Sequence, residues 1–465
     1  MSYFLTSRKP NLIYKLFLFS FKKNSEIKSK KKLKFLFLQN NKVPSLRYLL
    51  FLLIIILTGR IFNKKIRANI RYEDIEIGSY IISLTYNNFK SYNSNFFFFF
   101  FFLKNFFLAG CYIETSKKYL KNYDFKYVYL DHLMYLNGIY HQIFAKNKKT
   151  IYCNNYPRSA CKINFEKRNN KYINFSNIYS LEYLKENLNF KNKKKVENFK
   201  KKYKEKTFKY ITWMQNTKYK KLDSLSKLRF DDYQYIIFTH SFTDAQLMGG
   251  FDGFETTYDW LVFTLNFLKK KNKKAIVKSH PNFFNPSLGI NSSWDKKIFH
   301  RIYDEYKNDE NFYFINKSIN NLEVLRKLNK NCIGITHHGT VILEMALHKL
   351  KIITSSKCLW DIKYKISNKW SNVDEYEKIL TKKFEDLQYC DEEDIDKIYY
   401  QLYFNKFNYY GKNSVNAIMR RTFGKSYEDY VTKNLVNQKR IFEKYFSKSK
   451  QQKFINVFSK NIIEI

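Results

Sequence analysis

Apolar and polar positions along this chain change period several times, and those changes mark out its elements. From Tyr233 onward, short apolar runs alternate with stretches of helical spacing. YQYIIFTH (233–240), KKAIVKS (273–279), NFYFI (311–315), NCIGIT (331–336) and KIIT (351–354) are apolar runs of strand length. Between them, Thr257 to Lys270 places Leu261, Leu265 and Leu268 on one helical face, and 294–306, 319–328 and 340–348 also read as helices. Strands that alternate with helices in this way predict a doubly wound parallel sheet.

The first half is less regular. Residues 1–65 are basic and expected to be irregular, with an apolar run from Tyr48 to Thr58 near their end. IRYEDIEIGSYII (70–82) opens a more ordered region, and 96–122 reads as a helix that is apolar nearly all round. A strand at FKYVYL (125–130), a turn at Asp131 and His132, a helix over 136–146 and a strand at KTIYC (149–153) form a β-α-β unit, which favours a second parallel sheet. Residues 163–230 are Lys-rich and expected as surface helices and linkers. At 465 residues the chain exceeds one ordinary core. The expected division is a basic segment 1–65, a first domain 66–230, a second domain 231–400, and carboxyl-terminal helices 401–465.

Composition adds a charge question. There are 84 Lys and Arg against 41 Asp and Glu, a net charge of +43. One reading is an anionic partner: nucleic acid, anionic lipid or a phosphorylated sugar donor. The other is drift towards Lys on a wet surface, in a chain whose Lys, Asn, Ile, Tyr and Phe load resembles AT-rich codon bias. No zinc-finger spacing, RNP-like pattern or Arg cluster supports nucleic acid, so none is expected as a partner. The six Cys form no C-x-x-C pair, Cys332 reads as a small core residue, and a reduced cytoplasmic compartment is expected. The apolar runs at Tyr48 and Phe96 are short against the roughly 20 residues that span a bilayer. The chain is therefore expected to be soluble, or peripheral on an anionic membrane at its inner face.

Candidate chemistry collects in the loops after the strands of the second half, where open parallel sheets bind ligands. His240, Thr243 and Asp244 follow the first strand. Lys278, Ser279, His280 and Pro281 follow the second. Thr336, His337, His338, Gly339 and Thr340 follow the fourth, and Ser355 and Ser356 the fifth. Donors gathered at one edge suit a phosphate or pyrophosphate. Gly339 lets backbone approach a ligand, Thr340 is expected to cap the next helix, and Glu344, one turn in, can accept hydrogen bonds from a ribose diol. Pro281 restricts His280 to extended backbone and presents its ring at the sheet edge.

FTHSFTDAQ, FETTYDWL, IVKSHPN and GITHHGTVILEMALHKLKIIT, in that order over 238–354, resemble the capsule polysaccharide biosynthesis family and related surface-polysaccharide transferases. The resemblance implies an α/β, GT-B-like fold, with two Rossmann-like domains whose parallel sheets face a central cleft. It also implies a glycosyltransferase that moves sugar from a nucleotide-sugar donor to a glycan or glycolipid acceptor, as in capsule or lipopolysaccharide synthesis, without a metal or other cofactor. His240, Lys278, His280, Pro281, Thr336, His338, Gly339, Thr340, Glu344 and Ser355 are the donor-binding candidates. Asp131, His132 and Asp244 are the candidates for the base that takes the acceptor proton. One departure is ALHKLKI, where the family has a small-residue helix and Gly-Lys-Pro before the last strand. Asp231-Asp232 and the acidic run 391–394 read as solvated starts of elements. Two alternatives stay open: a sugar-nucleotide epimerase of the same fold type, because HPNFFNP is similar to its H-x-N-P element though its acidic, Gly-Gly-rich loop is missing, and a degenerate assembly protein without the chemistry.

Overall fold

In a computed structural model, the chain is described over residues 2–6, 33–37, 42–89, 95–130, 135–147, 150–155, 159–163, 165–168, 171–174, 189–204, 228–244, 246–247, 249–284, 290–358, 361, 364–400 and 449. The first half opens with β1 (Ser2–Thr6) and β2 (Leu33–Phe37), then α1 (Leu46–Leu57), α2 (Lys64–Ala68) and the paired short strands β3 (Arg71–Tyr72) and β4 (Ile75–Glu76). Helices α3 (Gly78–Phe89) and α4 (Asn95–Asn122) follow, then β5 (Phe125–Leu130), α5 (Asn137–Lys146), β6 (Thr150–Asn155) and β7 (Ser159–Ile163). The first sheet has the order β2-β1-β5-β6-β7, parallel except for β7. The β-α-β unit is present as expected. The amino-terminal stretch, expected to be irregular, contributes two strands, because LKFLF pairs in register with SYFLT. A hairpin of β8 (Phe165–Arg168) and β9 (Lys171–Asn174) comes next.

Helix α6 (Phe190–Lys204) lies in the Lys-rich stretch, yet Val196, Phe199 and Tyr203 form a buried stripe that joins the core of the second half. The spacing of three and four residues explains how so charged a segment still packs.

The second half runs β10 (Tyr235–Phe238), α7 (Thr257–Lys270), β11 (Ala275–Lys278), α8 (Ile290–Tyr306), β12 (Phe312–Ile315), α9 (Asn321–Leu325), β13 (Ile333–Thr336), α10 (Val341–Leu347), β14 (Lys351–Ser355), β15 (Asn368–Trp370), α11 (Val373–Thr381) and α12 (Glu392–Tyr399). The sheet order is β12-β11-β10-β13-β14-β15, parallel throughout, which is the doubly wound Rossmann order. Tyr235 and Ile237 pack on one side of the sheet, and Ile236 and Phe238 on the other. Both faces are covered, so the strands read as continuous apolar runs. β15 escaped the sequence reading because NKW has three residues and a single buried side chain. The acidic run does begin an element: Asp391 caps α12 through the Asp394 amide.

The architecture is α/β with two Rossmann-like sheets, the first parallel except for β7 and the second parallel throughout, GT-B-like in kind. The loop between β10 and α7 joins the halves. Its Leu247 is buried in the core of the first half, with Phe251 packed against it. Arg67 of α2 donates to Glu255 through Nε at 2.8 Å and Nη2 at 2.6 Å, and Tyr86 adds a third donor at 3.0 Å. Gly253 in this loop has φ of +111°, where a side chain would be strained and would strike the Val373 amide.

Contrary to the sequence reading, α4 is long and apolar enough to cross a membrane by length and composition. Lys104 interrupts the run of phenylalanines, but the apolar pattern resumes beyond it through FFLAGCYI.

Candidate active site at the sheet switch point

β10 and β13 are neighbours, and the strands that follow each of them build outward in opposite directions. The crevice outside their carboxyl ends is the place where such sheets bind ligands. His240 follows β10, His280 follows β11, and His337 and His338 follow β13. Ring centroids lie 4.0 Å apart for His240 and His338, 5.8 Å for His240 and His280, and 4.8 Å for His337 and His338. Sequence positions a hundred residues apart therefore form one imidazole cluster.

Lys278, the last residue of β11, is wholly buried. Its Nζ makes one long hydrogen bond, 3.4 Å to the Ser279 carbonyl, and no carboxylate among the described residues pairs with it. Burial lowers its pKa to about 8, although the Glu344 charge pulls it upward. Burial also holds His280 and His338 well below the ordinary histidine range, helped by the charges of His240 and Lys278 on the first and of His240 and His337 on the second. The cluster is thus a buried edge with one cation, Lys278, and neutral imidazoles at His280 and His338.

An ordered chain supports it from behind. Asp252 is fully buried; its Oδ2 accepts from Ser355 Oγ and lies 3.1 Å from His337 Nε2. Burial raises the Asp252 pKa, but His337 and the hydrogen bonds of Ser355 and the Phe254 amide outweigh it and hold the carboxyl below its usual range. Nδ1 of His337 and Nδ1 of His338 are 2.6 Å apart, so one proton lies between them. Nε2 of His338 is buried and has no hydrogen-bond partner among the described residues.

No family model matches the chain, and no curated protein matches its sequence. Solved structures do match. A crystal structure of the UDP-GlcNAc 2-epimerase of Methanocaldococcus jannaschii with UDP-GlcNAc and UDP overlaps 87% of this chain and 99% of its own, at 14% identity and a TM-score of 0.29. A second structure of that protein covers the same shares at 12% identity and a TM-score of 0.26.

The other candidates fall into distinct places. Gly339 is buried against the cluster; a Cβ there would stand 3.0 Å from Thr336 Oγ1 and 3.3 Å from Val341. The Thr336 hydroxyl is committed to the Phe238 carbonyl at 3.1 Å, and that of Ser355 to Asp252. Pro281 opens a 3-10 turn, Pro281–Phe284, directly after His280. The expectation that Thr340 caps the next helix is overturned. Its φ and ψ are −60° and −16°, already helical, and its side chain makes no capping bond. A cap needs extended backbone to turn its hydroxyl onto the first amides. Since α10 has only seven residues, its amino end is a weak source of anion attraction.

Glu344 is half-buried, with Tyr203 donating to Oε1 and Asn321 Nδ2 to Oε2, each at 2.8 Å. Both oxygens already tie α6 and α9 to α10. Asp244 accepts a hydrogen bond from Tyr135, the first described residue after the turn of β5. Asp131 and His132 lie outside the described residues.

Sequence reasoning passed over Asp252 and Asp295, and it placed His337 in the loop after the fourth strand without giving it a role. Asp295, on α8, accepts from Ser241 Oγ (2.6 Å), the Phe242 amide (2.9 Å), and the Thr243 amide and hydroxyl (3.0 Å each), bracing the turn that carries His240. Nothing in WDKKIF distinguishes Asp295 from a surface residue, whereas the Asp-Gly pair at 252–253 was a turn signal open to notice. Among the described residues no group of three or more His, Cys, Asp or Glu side chains is placed to hold a metal ion. A cavity of about 640 Å³ lined by Lys201, Lys204, Arg326 and His348 lies apart from the switch point.

Proposed function

We propose that the switch-point crevice binds the diphosphate of a nucleotide sugar, and that the chain is an enzyme acting on that sugar. Lys278 carries the reading. A wholly buried ammonium with one long hydrogen bond is costly by itself, and an anion at the sheet edge would repay the cost. His280 is a neutral imidazole beside it, and the buried, unpartnered Nε2 of His338 suits a polar group of a ligand.

The reaction we favour is glycosyl transfer to a surface glycan of capsule or lipopolysaccharide type. The acceptor hydroxyl attacks the anomeric carbon, and the bond from that carbon to the diphosphate oxygen breaks. Charge then grows on the leaving phosphate, where Lys278 and His280 would stabilise it. Asp244, at the junction of the halves, is the described candidate for taking the acceptor proton; Asp131 and His132 are the others.

Epimerisation of a sugar nucleotide is the second reading. It is the activity named for the two solved structures above, and HPNFFNP favours it. Both readings place the nucleotide at the same residues, so one experiment separates them in two stages. UDP-, GDP-, CMP- and dTDP-sugars are screened by thermal shift on the wild type and on His280→Ala, with folding checked by circular dichroism. A shift for one nucleotide class, lost in His280→Ala, is expected. The binding sugar is then incubated alone: a new epimer marks the second reading, and turnover only with added acceptor the first. A folded wild type that no nucleotide sugar stabilises would overturn both.

A further inference from the structure

We infer that α1 and the first half of α4 form a face that lies on an anionic lipid bilayer. Large apolar side chains are exposed on both helices: Leu50, Leu53 and Leu57 on α1, and Phe96, Phe97 and Phe100 on α4. Of the large exposed apolar residues among those described, Tyr389 alone falls outside residues 43–107. The two faces adjoin. Tyr48 of α1 donates to the Phe106 carbonyl of α4 at 2.8 Å, and Phe62, just beyond α1, packs on Phe99 at 4.9 Å. The inner side of α4 is a normal core stripe of Phe98, Phe102, Phe106, Ala109 and Ile113, so the helix has a solvent side, and that side is apolar. A patch of this kind marks an interaction surface.

Charge chooses the occupant. Residues 42–70 contain six Lys and Arg and no Asp or Glu, and 95–113 contain Lys104 and no acid. Arg67 and Lys64 are spent on Glu255 and Asp259. Lys42, Arg60, Lys65 and Lys104 are exposed around the apolar face. Arg47 lies 3.9 Å from Glu73. Apolar side chains with a mainly basic rim match the acyl boundary and the negative headgroups of an anionic leaflet, where both contributions add. The helices lie in the interface plane, because the inner stripe of α4 is already committed to the protein core.

The test is co-sedimentation of the full chain with vesicles of phosphatidylcholine alone or mixed with phosphatidylglycerol. Binding to the mixed vesicles is expected, weakened by salt. Leu53→Asp/Phe100→Asp should lower the partition coefficient by about ten-fold or more, since buried apolar area sets it. Arg60→Glu/Lys65→Glu should remove the preference for the anionic lipid. All four positions are exposed, so melting temperature and circular dichroism should match the wild type. Absence of binding to mixed vesicles would overturn the inference, as would wild-type binding by the aspartate variant. A wild type that is dimeric and turns monomeric in that variant would assign the face to a second copy instead. Resistance of the bound chain to alkaline extraction would make α4 a spanning helix and overturn the in-plane placement.

Discussion

At pH 7 the ammonium of Lys278 is charged, wholly buried and held by a single long hydrogen bond. Its pKa falls from 10.5 to about 8, so the neutral form is favoured by folding. The cost is fully present below pH 8 and is relieved as pH rises from 8 to 10.5, where the unfolded chain holds a proton that the folded chain has released. Lys278→Met should therefore stabilise the nucleotide-free protein by about 1–3 kcal/mol in urea unfolding at neutral pH. It should also abolish the nucleotide-induced rise in melting temperature. In the wild type, nucleotide affinity should fall above pH 8, by up to about ten-fold per pH unit, because binding then requires proton uptake. A less stable Lys278→Met protein with the wild-type binding profile would show that Lys278 is only a core residue.

At the scale of elements, the short strands deliver their loops, and buried polar side chains on neighbouring elements hold those loops in place. Asp295 on α8 does this for the turn after β10. Removing its carboxylate in Asp295→Ala leaves the Phe242 amide buried and unpaired, at about 1–3 kcal/mol, and the Thr243 amide with only the long 3.4 Å bond to Ser241 Oγ. Asp295→Asn keeps an oxygen for both amides and should retain most of the stability. Chemical unfolding of the two variants checks this ordering, and equal losses would mean that charge, not the amide bonds, is what α8 supplies. Burial raises the pKa of the carboxyl from 3.8 to about 6, so its contribution to stability is fully present below pH 3.8, falls as pH rises to about 6 and levels off above that.

For the whole molecule, the decisive contact is the buried pair of Arg67 and Glu255, with side-chain exposures of 7% and 0%. Arg67→Ala would leave Glu255 buried with Tyr86 as its remaining side-chain donor, a loss of about 3–5 kcal/mol. The two halves should then unfold in separate steps in calorimetry. Arg67→Met/Glu255→Met should recover much of the loss, since an apolar pair leaves no uncompensated charge. A single unchanged transition in Arg67→Ala would show that the halves are joined elsewhere, for instance through Leu247 and Phe251.

Much of the second half was legible in the residues. Runs such as YIIF and AIVK are apolar at every position because both faces of a parallel sheet are covered, and α7 was readable from the spacing of Leu261, Leu265 and Leu268. Local chemistry of that kind is carried by neighbours in the chain. The proximity of His240, His280 and His338 followed from the strand order, once each was assigned to a strand end. What no local pattern encodes is pairing across distance. Asp252 against His337 and Ser355, Asp295 against residues 241–243, Arg67 against Glu255 and the two donors on Glu344 each join residues that nothing local connects. Whether a polar residue is solvated or buried with a partner depends on which elements the fold packs together. The sequence alone therefore determined five strands of the second sheet, the helices between them and the edge where the candidate site lies, but not β1, β2, the strands over 159–174 or β15. Tertiary structure decided which of its polar side chains remain available to a ligand, because burial and pairing are properties of packed neighbours.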